Sequence, residues 1–198
     1  MFSGIIEEAL IVNNVKHNKN DLMISMKPSF ISECILGQSI AVQGVCLTIN
    51  TIDENISFYL SPETLSKTNV SNWREGEVVN VERSLRMGGR IDGHLVSGHV
   101  DGLLSIDEIT EQGEAFEVTF KLSNEQQKRL IYPKGSIAID GISLTINEID
   151  NDFFKVMIIP HTWSMTSARN WQVGKHVHVE FDALAKMIDH QLKLRDNQ

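Results

Sequence analysis

Apolar and polar positions along this chain follow the pattern of a β protein written twice. Over residues 2–15 a glycine is followed by alternating apolar and polar side chains, which predicts one long strand with an inner and an outer face; residues 21–27 alternate in the same way and are expected to be its hairpin partner. Pro28-Ser29 stops that strand and opens a short helix-like segment over 30–35, with Ser29 or Ser32 as the candidate N-cap. Residues 39–42, 46–52 and 56–60 are short runs rich in β-branched side chains, parted by turn signals at Gln43-Gly44 and Glu54-Asn55. Pro62-Glu63-Thr64-Leu65 restarts the chain as a helical turn, and Gly76 leads into a last strand over 78–83.

The same order then comes round again. Gly44-Val-Cys-Leu-Thr-Ile-Asn-Thr-Ile-Asp53 returns as Gly141-Ile-Ser-Leu-Thr-Ile-Asn-Glu-Ile-Asp150, roughly 97 residues on. Ser39-Ile-Ala-Val42 answers to Ser136-Ile-Ala-Ile139, and Phe2-Ser-Gly4 to Val96-Ser-Gly98. Pro62, Thr64, Thr68, Trp73 and Gly76 answer to Pro160, Thr162, Thr166, Trp171 and Gly174. Short strands with small helical caps, duplicated, predict a mainly β protein of two tandem six-stranded antiparallel Greek-key barrels, since closure removes edges that short strands would otherwise expose. The expected division is residues 1–94, 95–181 and 182–198, with the Gly-rich segment 86–94 as linker. Leu184, Met187, Ile188 and Leu192 recur at helical spacing, so 182–194 is expected to be one amphipathic helix, its stripe turned to its own barrel or to other copies of the chain; disorder is expected only from Leu194 to Gln198.

Composition narrows the partners. A net charge of −8 without a basic cluster argues against nucleic acid and anionic lipid, and leaves a small molecule as the expected ligand. Without a signal-like start or a long apolar run, the chain is expected to be neither exported nor membrane-spanning. Cys34 and Cys46 lie in unlike contexts and suggest no disulfide framework, which suits the cytoplasm.

Candidate chemistry begins with exclusions. The chain lacks a Gly-rich phosphate loop, paired His or Cys at metal-ligand spacing, and a Gly-x-Ser-x-Gly elbow, so neither metal nor cofactor is expected. Polar residues gather in the second half: Ser97-Gly-His99-Val-Asp101, Lys134, Asp140-Gly-Ile-Ser143-Leu-Thr145, His161-Thr162 and Asp182. The first half has Ser3-Gly-Ile5-Ile-Glu7, Gln43-Gly-Val-Cys46-Leu-Thr48 and Glu63-Thr64 in those places. Positions that the halves share would hold the same kind of molecule, and those that differ would run the reaction. Each candidate also has an ordinary use: Cys46 and Ser143 as small wall residues, His99 as a loop histidine, Asp182 as a helix N-cap, Thr48 and Thr145 as strand formers. His176 and His178 alternate with valines, and a solvated strand face is expected for both.

Met1-Phe-Ser-Gly-Ile-Ile-Glu7, Gly44-Val-Cys-Leu-Thr48, Gly93-His-Leu-Val-Ser-Gly-His-Val-Asp-Gly102, Asp140-Gly-Ile-Ser-Leu-Thr145 and Val179-Glu-Phe-Asp182 resemble the signature segments of riboflavin synthase, the trimeric type with two lumazine-binding barrels. His178 departs from that pattern, which commonly has Asn there, as this chain has at Asn80. The resemblance implies a cofactor-free dismutation of two molecules of 6,7-dimethyl-8-ribityllumazine into riboflavin and 5-amino-6-ribitylaminopyrimidinedione. It also implies a homotrimer in which the first barrel of one subunit faces the second barrel of its neighbour. By the same resemblance the catalytic group is Ser143, Asp182, His99, Thr145 and Cys46. Phe2 would stack on or close over the ring, and Gly4, Ile5, Ile6, Ser39, Leu47, Thr48, Tyr59, Leu60, Ser61, Pro62, Glu63 and Thr64 would line the pockets. His99, Val100, Asp101, Lys134, Ser143, Leu144, Thr145, Met157, Ile158, Ile159, Pro160, His161 and Thr162 complete that lining, with Lys134 reaching the partner substrate or its ribityl chain. The competing expectation is a non-catalytic lumazine- or flavin-binding antenna protein with the same double barrel.

Overall fold

A computed structural model describes residues 1–17 and 21–196; the last two residues of the expected disordered tail, Asn197 and Gln198, lie outside the described residues. The first half contains β1 (Glu8–Ile11), β2 (Asn14–His17), β3 (Leu22–Met26), β4 (Ser39–Val42), β5 (Val45–Ile52), β6 (Ile56–Leu60), helix α1 (Pro62–Lys67) and β7 (Val78–Arg83). The second contains β8 (Gly102–Gln112), β9 (Ala115–Lys121), the short helix α2 (Glu125–Lys128), β10 (Ser136–Ile139), β11 (Ile142–Asp150), β12 (Phe153–Ile158), helix α3 (Pro160–Met165) and β13 (His176–Phe181), and α4 (Ala183–Asp196) follows.

The second half is the expected closed six-stranded barrel, ordered β10-β11-β12-β9-β8-β13, all pairs antiparallel. In the first half the strands form a curled seven-stranded sheet, β1-β7-β4-β5-β6-β3-β2. The long opening strand expected over 2–15 is divided. At Val12 the N–H still reaches Glu77 on the β7 side, while at Asn13 it reaches Ser25 on the β3 side. One run of alternation therefore serves two neighbours, β1 with β7 and β2 with β3. In the second half β8 makes the same passage unbroken, with a register shift between Ile106 and Glu108. The expected cap at Ser29 or Ser32 is also corrected. Residues 31–33 form a single 3-10 turn with no side-chain cap, because the Ser29 hydroxyl is taken by the Glu8 carboxylate.

Each half closes on its own apolar core, one built on Ile24, Ile40, Leu47, Ile49 and Phe58, the other on Ile106, Phe120, Ile137, Leu144 and Phe154. The halves meet along a local two-fold whose axis runs by Gly44 and Gly141. A Cβ on either would come within 3 Å of the other's backbone nitrogen, and both residues have left-handed φ, +79° and +82°, so only glycine fits there.

Around the axis the polar contacts are mirrored. Gln43 Oε1 accepts the Asn80 N–H at 2.7 Å as Asp140 Oδ1 accepts the His178 N–H at 2.8 Å. Asn80 Nδ2 donates to the Asp140 carbonyl, and its Oδ1 accepts the Ser167 N–H at 2.6 Å. His178 does the same with a ring: Nδ1 bonds the Gln43 carbonyl at 2.8 Å and Nε2 the Asn69 N–H at 3.2 Å. A carbonyl only accepts and an amide N–H only donates, so these partners fix the neutral tautomer with the proton on Nδ1. The ring thus substitutes for a carboxamide, and His178 is buried at the seam rather than solvated, whereas His176 is exposed.

The terminal helix also answers a question that the sequence left open. Its polar side docks on the second barrel, Lys186 Nζ reaching both carboxylate oxygens of Asp101 at 3.0 and 2.9 Å and Asp189 meeting Arg129 at 3.3 Å. Leu184, Met187, Ile188 and Leu192 face solvent, 64%, 64%, 61% and 45% exposed, so the stripe does not fold back on its own barrel. Among the described residues no helix is long and apolar enough to cross a membrane.

Candidate active site

Strand β5 alternates about its sheet: Val45, Leu47 and Ile49 are buried, and Cys46 and Thr48 turn outward. Strand β11 repeats this with Ile142, Leu144 and Ile146 inside and Ser143 and Thr145 outside. Directly paired residues share a face, so Ser39, opposite Thr48, and Ser136, opposite Thr145, widen each outer row. On the other side, Thr48 and Tyr59 lie one step beyond the Ile49–Phe58 pair, as Thr145 and Met157 lie one step beyond Ile146–Val156. Each row runs to the start of a short helix. Ser61 caps α1 by accepting the Thr64 N–H at 3.3 Å, with Pro62 and Glu63 in its first turn. At α3 the cap position is Ile159, with no side-chain bond, ahead of Pro160, His161 and Thr162.

The leading segments complete the rows, and they do so crosswise. Gly4 accepts the Ser143 N–H through its carbonyl at 2.8 Å, and Gly98 accepts the Cys46 N–H at 2.8 Å. Both glycines have left-handed φ, and a Cβ on either would stand 2.6 Å from the Cβ of Ser143 or Cys46. A buried carboxylate anchors each segment: Glu82 accepts from Ser3 N, Ser3 Oγ and Gly4 N at 2.6, 2.7 and 3.0 Å, and Glu180 from Ser97 N, Ser97 Oγ and Gly98 N at 2.7, 2.7 and 2.8 Å. Burial pushes the Glu82 carboxyl up from its ordinary pKa, and the three donors from Ser3 and Gly4 pull it back. Ile6 consequently packs on the second core and Val100 on the first.

The crossing brings Gly4, the neighbour of Ile5 in the chain, against Ser143, and Gly98, the neighbour of His99, against Cys46 of the first row. The sheet puts Ser143 with Thr145, and Asp182 begins α4, where its Oδ1 accepts the Leu184 N–H at 2.8 Å. Its N-cap use is therefore real. Asp101 is similarly engaged, taking the Phe181 N–H at 2.9 Å besides Lys186. Lys134 is exposed in a left-handed turn with its N–H on Ile146.

The side chains of Leu47, Leu60, Leu144 and Ile158 belong to the cores, so those positions offer a ligand backbone rather than side chain. Phe2, expected to stack on a ring, lies fully buried with Ala41, Val96 and Ala138 beneath the crossing. Ile5, Tyr59 and Ile159 are about half exposed, 46%, 49% and 57%, so both rows are open walls. A cleft of about 450 Å³ lies beside the first leading segment, lined by Ser3, Ile5, Glu82 and Arg83, and others lie under α4 beside Leu130, Phe181 and His190 and at the seam near Asn69 and Trp73. Among the described residues no cluster of His, Cys, Asp or Glu is arranged to hold a metal ion.

Sequence reading missed three participants. Glu82 and Glu180 occupy matched places in the repeat, and that coincidence was the available signal. His94 sits at the end of the linker inside the segment Gly93 to Gly102 that carries the resemblance, and that was its only signal; its Nδ1 lies 2.7 Å from Ser143 Oγ.

Comparison with known proteins agrees with this architecture. The model of the lumazine binding domain matches twice, over residues 3–84 and 97–182. The chain is 38% identical to riboflavin synthase of Bacillus subtilis (strain 168) over 94% of its own length and 87% of the relative's. It is 39% identical to that of Chlamydia muridarum (strain MoPn / Nigg) over 94% and 92%, and 36% identical to that of Photobacterium leiognathi over 98% and 90%. Among solved structures, LumP complexed with riboflavin superposes with a TM-score of 0.83 at 24% identity, over 91% of this chain and 99% of that one. LumP complexed with 6,7-dimethyl-8-(1'-D-ribityl) lumazine gives 0.82 at 22% identity, over 91% and 98%; at such identities the likeness is one of fold. Two lumazine binding domains, laid crosswise on each other's outer rows and matched along nearly their whole length by relatives of one name, place the chain in the riboflavin synthase family.

Proposed function

We propose that the chain catalyses the riboflavin synthase reaction, the dismutation of two 6,7-dimethyl-8-ribityllumazine molecules by transfer of a four-carbon unit. The observation that carries this reading is the pair of mirrored rows, alike in Thr48 and Thr145 and unlike at Cys46 and Ser143. Two nearly identical substrates call for two nearly identical walls, and different work at each calls for a difference between them. Pressing the walls together supplies most of the catalysis, by proximity and orientation. In this reading the first row of one subunit faces the second row of its neighbour in a homotrimer, whose contact is the exposed stripe of α4. The half-exposed Ile5, Tyr59 and Ile159 are what such open half-sites require.

The first chemical step is loss of a proton from the methyl group at ring position 7. Its C–H pair enters the pteridine, where the charge is spread, so a modest base suffices. Ser143 and Thr145 serve the second row in this, with Asp182 assisting later proton transfer or water addition; His99 and Cys46 serve the lumazine on the first, where the thiol adds to or polarises the ring. Lys134 reaches the ribityl chain. Purified protein mixed with the lumazine under metal-free conditions is expected to form riboflavin, and Ser143→Ala or Asp182→Ala to slow it with the fold intact. Tight fluorescent binding without turnover would instead establish the second reading, a lumazine-holding protein, and wild-type rates in both variants would reject the assignment of the second row.

A further inference from the structure

The leading segments are pinned at both ends, and at one pin the mirror fails. Glu82 and Glu180 hold their fronts in the same way. Glu7 and Asp101 hold their ends: the Glu7 N–H donates to the Val81 carbonyl at 3.0 Å, and the Asp101 N–H to that of Val179 at 2.8 Å. Each carboxylate then accepts a backbone N–H of the last strand, Glu7 Oε1 from Arg83 at 2.8 Å and Asp101 Oδ2 from Phe181 at 2.9 Å. In the first half the same Arg83 closes the grip with its guanidinium, Nε and Nη2 lying 2.8 and 2.7 Å from Glu7 Oε2. The second half has an apolar side chain at that place. Phe181, opposite Ile137 as Arg83 is opposite Ile40, is buried in the core, and the Asp101 carboxylate is held instead by Lys186 of α4, 3.0 and 2.9 Å from its two oxygens.

That helix is lightly seated. None of the 14 residues of α4 is buried, and a cleft of about 310 Å³ beside Leu130, Phe181 and His190 runs beneath it. It rests on its barrel through the pairs Lys186–Asp101 and Asp189–Arg129, with its apolar stripe facing away. We propose that Lys186 is a positioning residue for the first row: by gripping Asp101 it fixes the segment Ser97 to Asp101 against Cys46, and so makes the seat of α4, and with it the contact between subunits, a determinant of the first half-site. The proposal rests on the riboflavin synthase reading above and deepens it, because it makes the two rows differ in how they are completed. Segment Ser3 to Glu7, which serves the second row, is pinned within one half of the chain, whereas Ser97 to Asp101 is pinned once α4 is in place. Lys186 touches no lumazine and acts through Asp101 and Gly98, whose carbonyl accepts the Cys46 N–H at 2.8 Å. Both members of the ion pair are 29% exposed, so the pair adds little to stability and its loss is read in position.

The mirrored bonds supply the control. Cys46 N–H donates to Gly98 and Ser143 N–H to Gly4, both at 2.8 Å, so amide hydrogen exchange at the two positions reports on the two segments separately. Lys186→Met keeps the stem and drops the charge. In the assembled protein without lumazine it should exchange at Cys46 at least about fivefold faster than the parent, and at Ser143 within about twofold of it. Lys186→Arg, whose guanidinium can grip the same carboxylate, should return Cys46 to the parental rate, and Arg83→Met should quicken Ser143 rather than Cys46. Riboflavin formation should slow by at least about fivefold in Lys186→Met and recover in Lys186→Arg, since misplacing a positioned group by about 1 Å costs up to about 10²-fold. Light scattering should show the parental assembly, the lysine lying off the stripe. Ile188→Glu, which breaks the contact from the stripe, should also quicken Cys46 and spare Ser143. Equal changes at both amides in Lys186→Met, or none, would overturn the proposal, as would parental turnover or loss of assembly in that variant, or a parental Cys46 rate in Ile188→Glu. Failure of the enzyme reading would look different: the amides would follow the expected pattern while the parent itself formed no riboflavin.

Discussion

Acid should loosen the seam between the halves through His178, because that imidazole is held neutral by two partners that admit no second ring proton. Protonating Nε2 would set its N–H against the Asn69 N–H and abolish the acceptor now 3.2 Å away. Burial pushes the His178 pKa down; the Asp140 carboxylate and the Gln43 hydrogen bond oppose this without reversing it. Other charges near the seam are Glu77 and Lys175, themselves 3.7 Å apart, and the exposed His176. A histidine whose folded pKa is lowered contributes stability fully above its unfolded value, about 6.5, and loses it as pH falls toward the folded value. The loss follows at about 1.4 kcal/mol per pH unit, because the unfolded chain binds a proton that the native one refuses. For a chain of this size that is roughly 3–6 °C of melting temperature per pH unit. Asp140 runs the other way: burial raises its pKa, so its contribution is fully present below its unfolded value, about 3.9, and is lost as pH rises through the folded one, while the His178 N–H and Trp171 Nε1–H that it accepts remain in His178→Asn. His178→Asn restores the residue of the mirrored position, donor and acceptor together, and does not titrate in this range. Melting temperatures from pH 8 to pH 5 should therefore diverge, with the parent losing the stated increment relative to His178→Asn below about pH 6.5. Parallel curves would refute the reasoning. His178→Ala should cost about 1–3 kcal/mol for each of the two groups it strands, the Gln43 carbonyl and the Asn69 N–H, at any pH.

Three further outcomes follow from the crossing and the helix. Gly98→Ala combines a left-handed φ of +80° with a Cβ 2.6 Å from that of Cys46, and should lower stability by at least about 1–3 kcal/mol in urea unfolding while displacing His99. Gly93→Ala, whose φ is unexceptional, should leave the barrels folded by circular dichroism yet remove most activity, because the added carbon falls on Ser3 and Ser143. Ile188→Glu places a charge in the exposed stripe of α4, so light scattering should report a smaller assembly, and activity should fall with assembly rather than with loss of the fold.

How far the sequence could be read depended on whether a signal was local or paired. The strands at 39–42, 56–60 and 78–83, and the turns into α1 and α3, were legible because burial on one face forces alternation and Pro at the first helical turn forces a start. The repeat disclosed the duplication and so the double barrel. The break at Val12-Asn13 was not legible, because alternation continues across it while only the bonding partner changes. Nor was the crossing. Nothing in Gly4-Ile5-Ile6 says that these residues serve the other half's row, and the exchange shows only in the paired bonds Gly4 to Ser143 and Gly98 to Cys46. His178 read as solvated because period-two alternation cannot tell a face turned to water from one turned to a second barrel.

The central claim, that a reacting pair of walls is made of one subunit's first row and a neighbour's second, is tested most directly by mixing two damaged proteins. One carries Thr48→Trp and lacks a usable first row; the other carries Thr145→Trp and lacks a second. Each alone should be inactive. After co-refolding in equal amounts, interfaces between the two intact rows should restore riboflavin formation to roughly a quarter of the parental rate, the share expected from random pairing of subunits. Mixed assemblies that form, as mass spectrometry would verify, but stay inactive would contradict it.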